Sequence, residues 1–149
     1  MATSATKKAP AKKTKSVLSE GEIEALQDTL RERKKGGKTD GLADVMAAID
    51  KLTGLDRKIA EELHGLVTVA APQLSPKTWY GMPAYANDKD KVVCFFKPAG
   101  KFKSRYATFG FEEAAKLDDG NMWVTSFAVA KLDDADKKKL TALVKKAAG

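Results

Sequence analysis

The sequence predicts an α+β fold in which a single antiparallel sheet of four to five strands is covered by helices. Three observations support this prediction. Apolar residues recur at helical spacing between residues 40 and 71, short runs typical of strands extend from 77 to 129, and an amphipathic segment occupies 133–147. Because helices precede and follow an uninterrupted block of strands, the order favours an antiparallel meander over parallel βαβ units.

The composition separates a basic tail from a nearly balanced domain. The 149 residues suit one domain, and 43% of them are hydrophobic, which is enough for a core. The formal charge is +7, but residues 1–15 hold five lysines and no acidic residue, so the rest of the chain carries +2. We interpret 1–17 as a disordered basic tail, 18–37 as an amphipathic N-terminal helix and 38–149 as the α+β domain. Such a tail either contacts nucleic-acid phosphates without sequence preference or serves only solubility.

Four helices are predicted from capping and periodicity. Ser19 and Glu22 form a capping box for the first, and Thr53 with Asp56 forms another for the third. The second helix spans about 40–52, the third ends before Pro72, and the last spans about 133–147. The predicted buried positions, in chain order, are Ile23, Leu26, Leu30, Leu42, Val45, Met46, Ile49, Leu52, Leu55, Ile59, Leu63, Leu66, Val67, Ala70, Leu140, Leu143, Val144 and Ala147.

The strand block is predicted to contain short strands at 78–80 and 84–86, then longer ones at 91–97, 103–109 and 122–129. The run KVVCFFK is apolar on both faces, which indicates a central strand. Residues 112–117 suit one helical turn. The last strand would place Trp123 and Phe127 on one face.

The segment from Trp79 to Tyr85 concentrates aromatic residues around Gly81 and Pro83. Glycine permits unusual backbone angles and proline fixes one, so a stiff aromatic loop could line a small-molecule pocket. Alternatively, the rings only complete the core. The residues of this candidate pocket are Trp79, Tyr80, Met82, Tyr85 and Trp123.

Three stretches, KTWYGMPAYA, KVVCFFKPAGKFKSRYATFGF and LDDGNMWVTSFAVAKL, resemble the YdhG-like family over about residues 40–147. The resemblance implies a small α+β fold with an antiparallel sheet covered by helices. Some members are described as frataxin-like iron chaperones that deliver iron for iron–sulfur cluster assembly, whereas most have no assigned activity. The resemblance therefore implies that this chain is a non-enzymatic carrier, with iron as its cargo and iron–sulfur assembly proteins as its partners.

Iron carriage of that kind uses exposed carboxylates, because oxygen atoms are hard ligands. The best candidates are Glu61 and Glu62 on the third predicted helix and Asp118 and Asp119 in a turn. The two glutamates are adjacent and diverge on a helix, and lysines and arginines are interleaved with the acidic residues. The same carboxylates also suit ordinary helix caps and turns.

Positive charge is densest at Lys97, Lys101, Lys103 and Arg105, with Phe102 and Tyr106 among them. Basic side chains beside aromatic rings bind phosphates and stack bases. Alternatively, a charged hairpin only protects a sheet edge from pairing. With the lysine-rich tail, this segment predicts nucleic-acid or phosphoanion binding as the alternative function, through Lys97, Lys101, Lys103, Arg105 and Tyr106.

The single cysteine, Cys94, and the single histidine, His64, restrict the possible chemistry. A thiolate zinc site needs more ligands, and a catalytic triad would have to use His64. Cys94 lies in an apolar run, which predicts a buried and inert thiol. No glycine-rich phosphate loop, H-E-x-x-H motif or nucleophile elbow occurs, so we expect no enzymatic activity. We also expect a cytoplasmic protein without a membrane partner, since the chain has no long apolar run and no secretory signal.

Overall fold

The computed structural model describes residues 21–27 and 41–149. In these ranges the helices are α1 (residues 21–27), α2 (Gly41–Asp50), α3 (Gly54–Ala70) and α4 (Asp134–Ala148). The strands are β1 (Ser75–Trp79), β2 (Met82–Ala86), β3 (Val92–Lys97), β4 (Ala107–Phe111) and β5 (Ser126–Val129). They form one antiparallel sheet in chain order, which confirms the predicted α+β class. The predictions for the tail and for the first capping box lie outside the described residues.

One face of the sheet carries the core. Directly paired residues share a face, and Tyr85 pairs with Cys94, Cys94 with Phe111, and Phe96 with Phe109. All five side chains are buried. The helical residues buried in the same cluster are Val45, Ile49, Ile59, Leu63, Val67, Leu140 and Val144. The core therefore lies between this face and helices α2, α3 and α4.

The opposite face, which we call the open face, carries the alternate residues of the same strands. Phe95 pairs with Ala84 and Gly110, and Lys97 pairs with Thr108. Phe95, Lys97 and Thr108 are only partly buried. Trp79, Ser126 and Ala128 also lie on the open face.

The central strand β3 contains a bulge that explains its unbroken apolar sequence. Tyr85 pairs with Cys94 and Ala86 with Val92, which leaves Val93 as an extra residue. Val93 and Cys94 are both buried, although strand neighbours normally point to opposite faces. The predicted central position of this strand is confirmed.

Several strand boundaries differ from the prediction: β1 begins at Ser75 and β2 at Met82, and the largest differences are at the starts of β4 and β5. Strand β4 begins at Ala107 and not at Lys103, because Lys103 has a φ of 52°, which a strand cannot contain. Strand β5 begins at Ser126 and not at Met122: β4 has already ended at Phe111, whose amide donates to Thr125 O at 2.7 Å. Residues 122–124 thus have no neighbouring strand with which to pair.

Several predicted core positions on the helices are exposed instead. Helix α1 buries Gly21 and Ala25 and exposes Ile23 and Leu26. A side chain on Gly21 would overlap the carbonyl oxygen of Lys101. Helix α1 can therefore lie this close to the backbone at Lys101 only because it has glycine at this position. The other predicted core residues that are exposed are Leu42, Met46 and Leu55. Residues 112–117 form a turn closed by the bond from Ala115 N to Glu112 O, and not a helix.

The last helix begins as its sequence predicts. Asp133 accepts from Asp136 N at 2.8 Å, and the Asp136 carboxylate accepts from Asp133 N at 3.0 Å. This reciprocal pair satisfies two amides that a helix start leaves free. Within residues 21–27 and 41–149, no helix has the length and apolar character that crossing a bilayer requires.

Replacement of Gly110 by alanine tests the packing of the open face. An added Cβ would overlap the Phe95 ring, which would have to turn away from Trp79. We expect a loss of about 1–3 kcal/mol in the free energy of unfolding, measured by urea denaturation. Gly65→Ala is the matched control: Gly65 lies in exposed helix with open space around it, so this change should stabilise by about 0.5–1 kcal/mol. Equal effects of the two changes would contradict the packing described.

Candidate functional site

The connection between β3 and β4 is a rigid, charged loop. We call residues 97–106 the basic loop. Ser104 N donates to Ala99 O at 2.9 Å, and Lys103 N donates to Gly100 O at 3.3 Å. The left-handed conformation of Lys103 reverses the chain between them.

A carboxylate from α3 fixes this loop. Asp56 Oδ2 accepts from Gly100 N at 2.8 Å, and Asp56 Oδ1 accepts from Ala99 N at 3.2 Å. The predicted capping pair is wrong, because the Thr53 side chain makes no cap hydrogen bond. Asp56 lies in the first turn of α3, where the helix dipole favours a negative charge. It therefore joins the start of this helix to a loop more than 40 residues away.

The side chains of the basic loop form two groups of cation and aromatic ring. Lys97 Nζ lies 5.2 Å and Lys101 Nζ lies 5.8 Å from the centroid of the Phe102 ring. The Arg105 guanidinium lies 5.1 Å from the centroid of the Tyr106 ring, and Tyr106 is 43% exposed. Contacts of this length are favourable cation–π interactions. The structure thus places Lys97 and Lys101 beside the same ring, with Arg105 and Tyr106 as a second pair.

Lys97, Lys103 and Arg105 are the cations of the basic loop whose charge is least compensated. In the part of the chain that the structure describes, Lys97, Lys103 and Arg105 form no ion pair, whereas Arg57 and Lys77 each contact a carboxylate. Exposed cations without a carboxylate partner create a positive potential that attracts anions.

An open cleft of about 420 Å³ lies beside the basic loop. Residues of α1, α2, the start of α3, the turn between β1 and β2, and the loop itself line it, and its charged lining residues are Glu24, Asp44, Lys51, Asp56 and Lys101. Because charges of both signs line the cleft, it has no clear preference for an anionic or a cationic ligand. Sequence reasoning missed it, because five separate segments form its walls.

The five residues of the predicted aromatic pocket do not lie together, because they are spread over both faces and both edges of the sheet. Tyr80 and Gly81 have φ angles of 53° and 74° and form a two-residue hairpin turn. Trp79 contacts Phe95 on the open face, whereas Tyr85 is buried on the core face. Met82 is buried opposite Trp79, and Trp123 precedes β5 at the other edge.

Tyr85 has an unpredicted partner in His64. Tyr85 Oη and His64 Nδ1 are 2.9 Å apart, and burial lowers the pKa of His64. Burial, followed by the nearby Cys94, raises the pKa of Tyr85. Burial also raises the pKa of the Cys94 thiol to about 12, and the predicted burial of this residue is confirmed. The His64–Tyr85 pair fits a hydrogen bond that satisfies two partly buried polar groups between α3 and the sheet. It does not have the character of a nucleophile with its base.

The four candidate iron ligands do not meet. Glu61 pairs with Arg57 on its own helix at 3.6 Å, whereas Glu62 pairs with Lys137 of α4. Asp118 and Asp119 are exposed in the connection between β4 and β5. Among the described residues, no three acidic, histidine or cysteine side chains are grouped as a metal site requires. The predicted site from these four carboxylates is therefore not assembled.

No protein-family model, no curated protein and no solved structure matches the chain. The resemblance to the YdhG-like family stays a prediction from the three sequence stretches.

Replacement of Asp56 by asparagine should loosen the basic loop. The amide keeps one acceptor oxygen and directs an NH2 group at the other loop amide, so a charge-assisted hydrogen bond is lost. We expect a loss of about 1–3 kcal/mol in the free energy of unfolding and faster hydrogen exchange at Ala99 and Gly100. Asp118→Asn, at an exposed position, is the control and should change neither quantity. Unchanged exchange at both amides in Asp56→Asn would contradict the anchoring role.

The pKa of His64 should lie below 6.5, its ordinary value, because burial disfavours the imidazolium. Between the lowered pKa of the folded state and about 6.5, the unfolded chain binds more protons at His64 than the folded chain does. The free energy of unfolding therefore decreases as the pH falls below about 6.5. A proton NMR titration reports it directly, since the chain has one histidine. The shift should persist in Tyr85→Phe, because burial and not the hydrogen bond causes it. A pKa of 6.5 or higher would contradict this assignment.

Proposed function

We propose that the protein is a non-enzymatic binding protein that holds a phosphate-bearing ligand at the basic loop. The observation that carries the proposal is the pairing of cations with rings there: Lys97 and Lys101 beside Phe102, and Arg105 beside Tyr106. A phosphate attracted by the cations would have an aromatic surface next to it for an attached organic group.

The rigidity of the loop supports the same proposal. Asp56 holds two loop amides, and two backbone bonds close the turn. A preformed loop loses less conformational entropy on binding than a flexible one, so more of the contact energy contributes to affinity. The alternative, that the charges only protect a sheet edge, is disfavoured because the loop connects β3 and β4, and β4 is flanked by strands on both sides.

The iron-carrier hypothesis that follows from the YdhG-like resemblance has less support. Its best helical carboxylates each contact a cation and point to different partners. Phosphoanion binding is compatible with the resemblance, since most members of that family have no assigned activity.

The proposal is tested with a fluorescein-labelled abasic deoxyribose-phosphate 12-mer, which offers phosphates without bases. All proteins carry the five tail lysines as glutamine, so that only the folded part contributes. Binding, followed by anisotropy, should weaken with salt, because cations on the protein displace counterions. Lys97→Gln with Arg105→Gln should lower the slope of log K against log salt by about 0.7 for each cation removed.

Lys138→Gln with Lys145→Gln is the matched control. Both lysines are exposed on α4, so this pair removes the same charge away from the loop. It should leave the slope unchanged. Equal slopes for the two double variants would overturn the proposal, as would the absence of any binding by the parent protein.

A further inference from the structure

We infer that the phosphate-bearing ligand is single-stranded nucleic acid, bound with its bases on the open face beside Phe95 and Trp79. This inference rests on the proposed function and extends it from the loop to the sheet. It names both the class of ligand and the surface that receives the bases.

The open face offers a continuous set of aromatic rings. Trp79 lies 5.1 Å from Tyr80 and 5.3 Å from Phe95, measured between ring centroids, and both contacts are edge-to-face. Tyr80 is 40% exposed, and Trp79 and Phe95 are partly exposed. Rings that serve only the core would be buried, as Phe96 and Phe109 are on the other face. Partly exposed rings on a sheet are the surface on which unpaired bases stack.

A row of small side chains on β4 and β5, which we call the shelf, continues from these rings. Gly110 lies beneath the Phe95 ring, and Thr108, Ser126 and Ala128 complete the open face of β4 and β5. Ser126 and Ala128 are exposed. Short side chains leave room for a planar base to lie against Phe95.

The shelf is continuous with the phosphate site. Lys97 follows Phe95 on the same face of β3, two residues or about 7 Å along the strand. That distance suits a base on Phe95 and its backbone phosphate at Lys97. Among the described residues Lys97 forms no ion pair, so its charge is available to a phosphate.

The surface favours a single strand over a duplex. A duplex hides the faces of its bases in the stack and is read by a helix or ribbon that enters a groove. The open face is the surface of a sheet, so it offers aromatic area to a ligand and no projecting helix or ribbon that could enter a groove. Only bases that are free of a stack can use that area.

The test compares three labelled 12-mers: oligothymidylate, oligouridylate and the abasic backbone, all with equal charge. It uses the full chain with the five tail lysines as glutamine and with Trp123→Phe, which leaves Trp79 as the only tryptophan. A base-bearing strand should bind at least about fivefold tighter than the abasic strand, since each stacked base adds affinity. It should also quench Trp79 fluorescence, and the abasic strand should not. The oligothymidylate and oligouridylate results distinguish DNA from RNA as the source, and tighter binding of either supports the inference.

A charge placed on the shelf gives an independent measurement. Ala128→Glu puts a carboxylate on the open face at an exposed position, so the core is unaffected. It should weaken oligonucleotide binding several-fold, because it repels the backbone and obstructs the shelf. Ala142→Glu, at an exposed position on α4, is the matched control and should have little effect.

The outcomes separate this inference from the proposed function. Equal affinity for abasic and base-bearing strands, without quenching of Trp79, would overturn the inference and leave phosphate binding at the basic loop in place. Binding of none of the three strands would overturn both. Tighter binding of base-bearing strands, with quenching and with weakening by Ala128→Glu alone, would establish the open face as the base-binding surface.

Discussion

The geometry of the candidate site depends on the carboxylate of Asp56, which in the described part of the chain joins the first turn of α3 to the backbone of the basic loop. The helix is held in turn by Ile59, Leu63 and Val67, which are buried against the core face of the sheet. The position of the loop is therefore inherited from the hydrophobic core through two hydrogen bonds. Without them, a segment with four cations would have to be ordered against its own charge repulsion. A negative group in this position also benefits from the dipole of the helix on which it stands.

The two faces of the sheet differ in character, and the proposed binding surface lies on the face that does not carry the core. The core face concentrates buried aromatic residues such as Phe96 and Phe109, and the open face keeps rings and cations at the surface. The bulge at Val93 strengthens this division, since it turns two successive apolar residues into the core. As a result, substitutions on the open face can test the proposed binding with little effect on folding. Gly110 is the exception, because its lack of a side chain lets Phe95 lie flat on the sheet.

Much of the fold was predictable from the sequence, because it follows from periodicity, which is a local property. The α+β class, the antiparallel meander, the central position of β3 and the buried Cys94 were all predicted in this way. The site was predictable only as a cluster of basic residues. Asp56 was misassigned because a capping residue and a long-range anchor have the same sequence pattern. Trp79 and Tyr85 were grouped in one pocket because the sequence does not show that the two-residue turn at Tyr80 and Gly81 places them on opposite faces of the sheet. The His64–Tyr85 contact left no signal in the sequence at all.

Strand order that follows chain order has a consequence for the folding pathway. Each strand pairs with its neighbour in sequence, and the connections lengthen from residues 80–81 to 87–91, 98–106 and 112–125. The entropy lost on closing a loop increases with its length. Closing the β1–β2 hairpin therefore loses the least entropy, and adding β5 loses the most. A sheet of this kind has low contact order and grows as a zipper, without the slow crossovers that parallel sheets require. Loop-closure entropy therefore favours the hairpin that carries Trp79 as the first part of the sheet to form, and the proposed binding surface on β4 and β5 is completed by strands with longer connections.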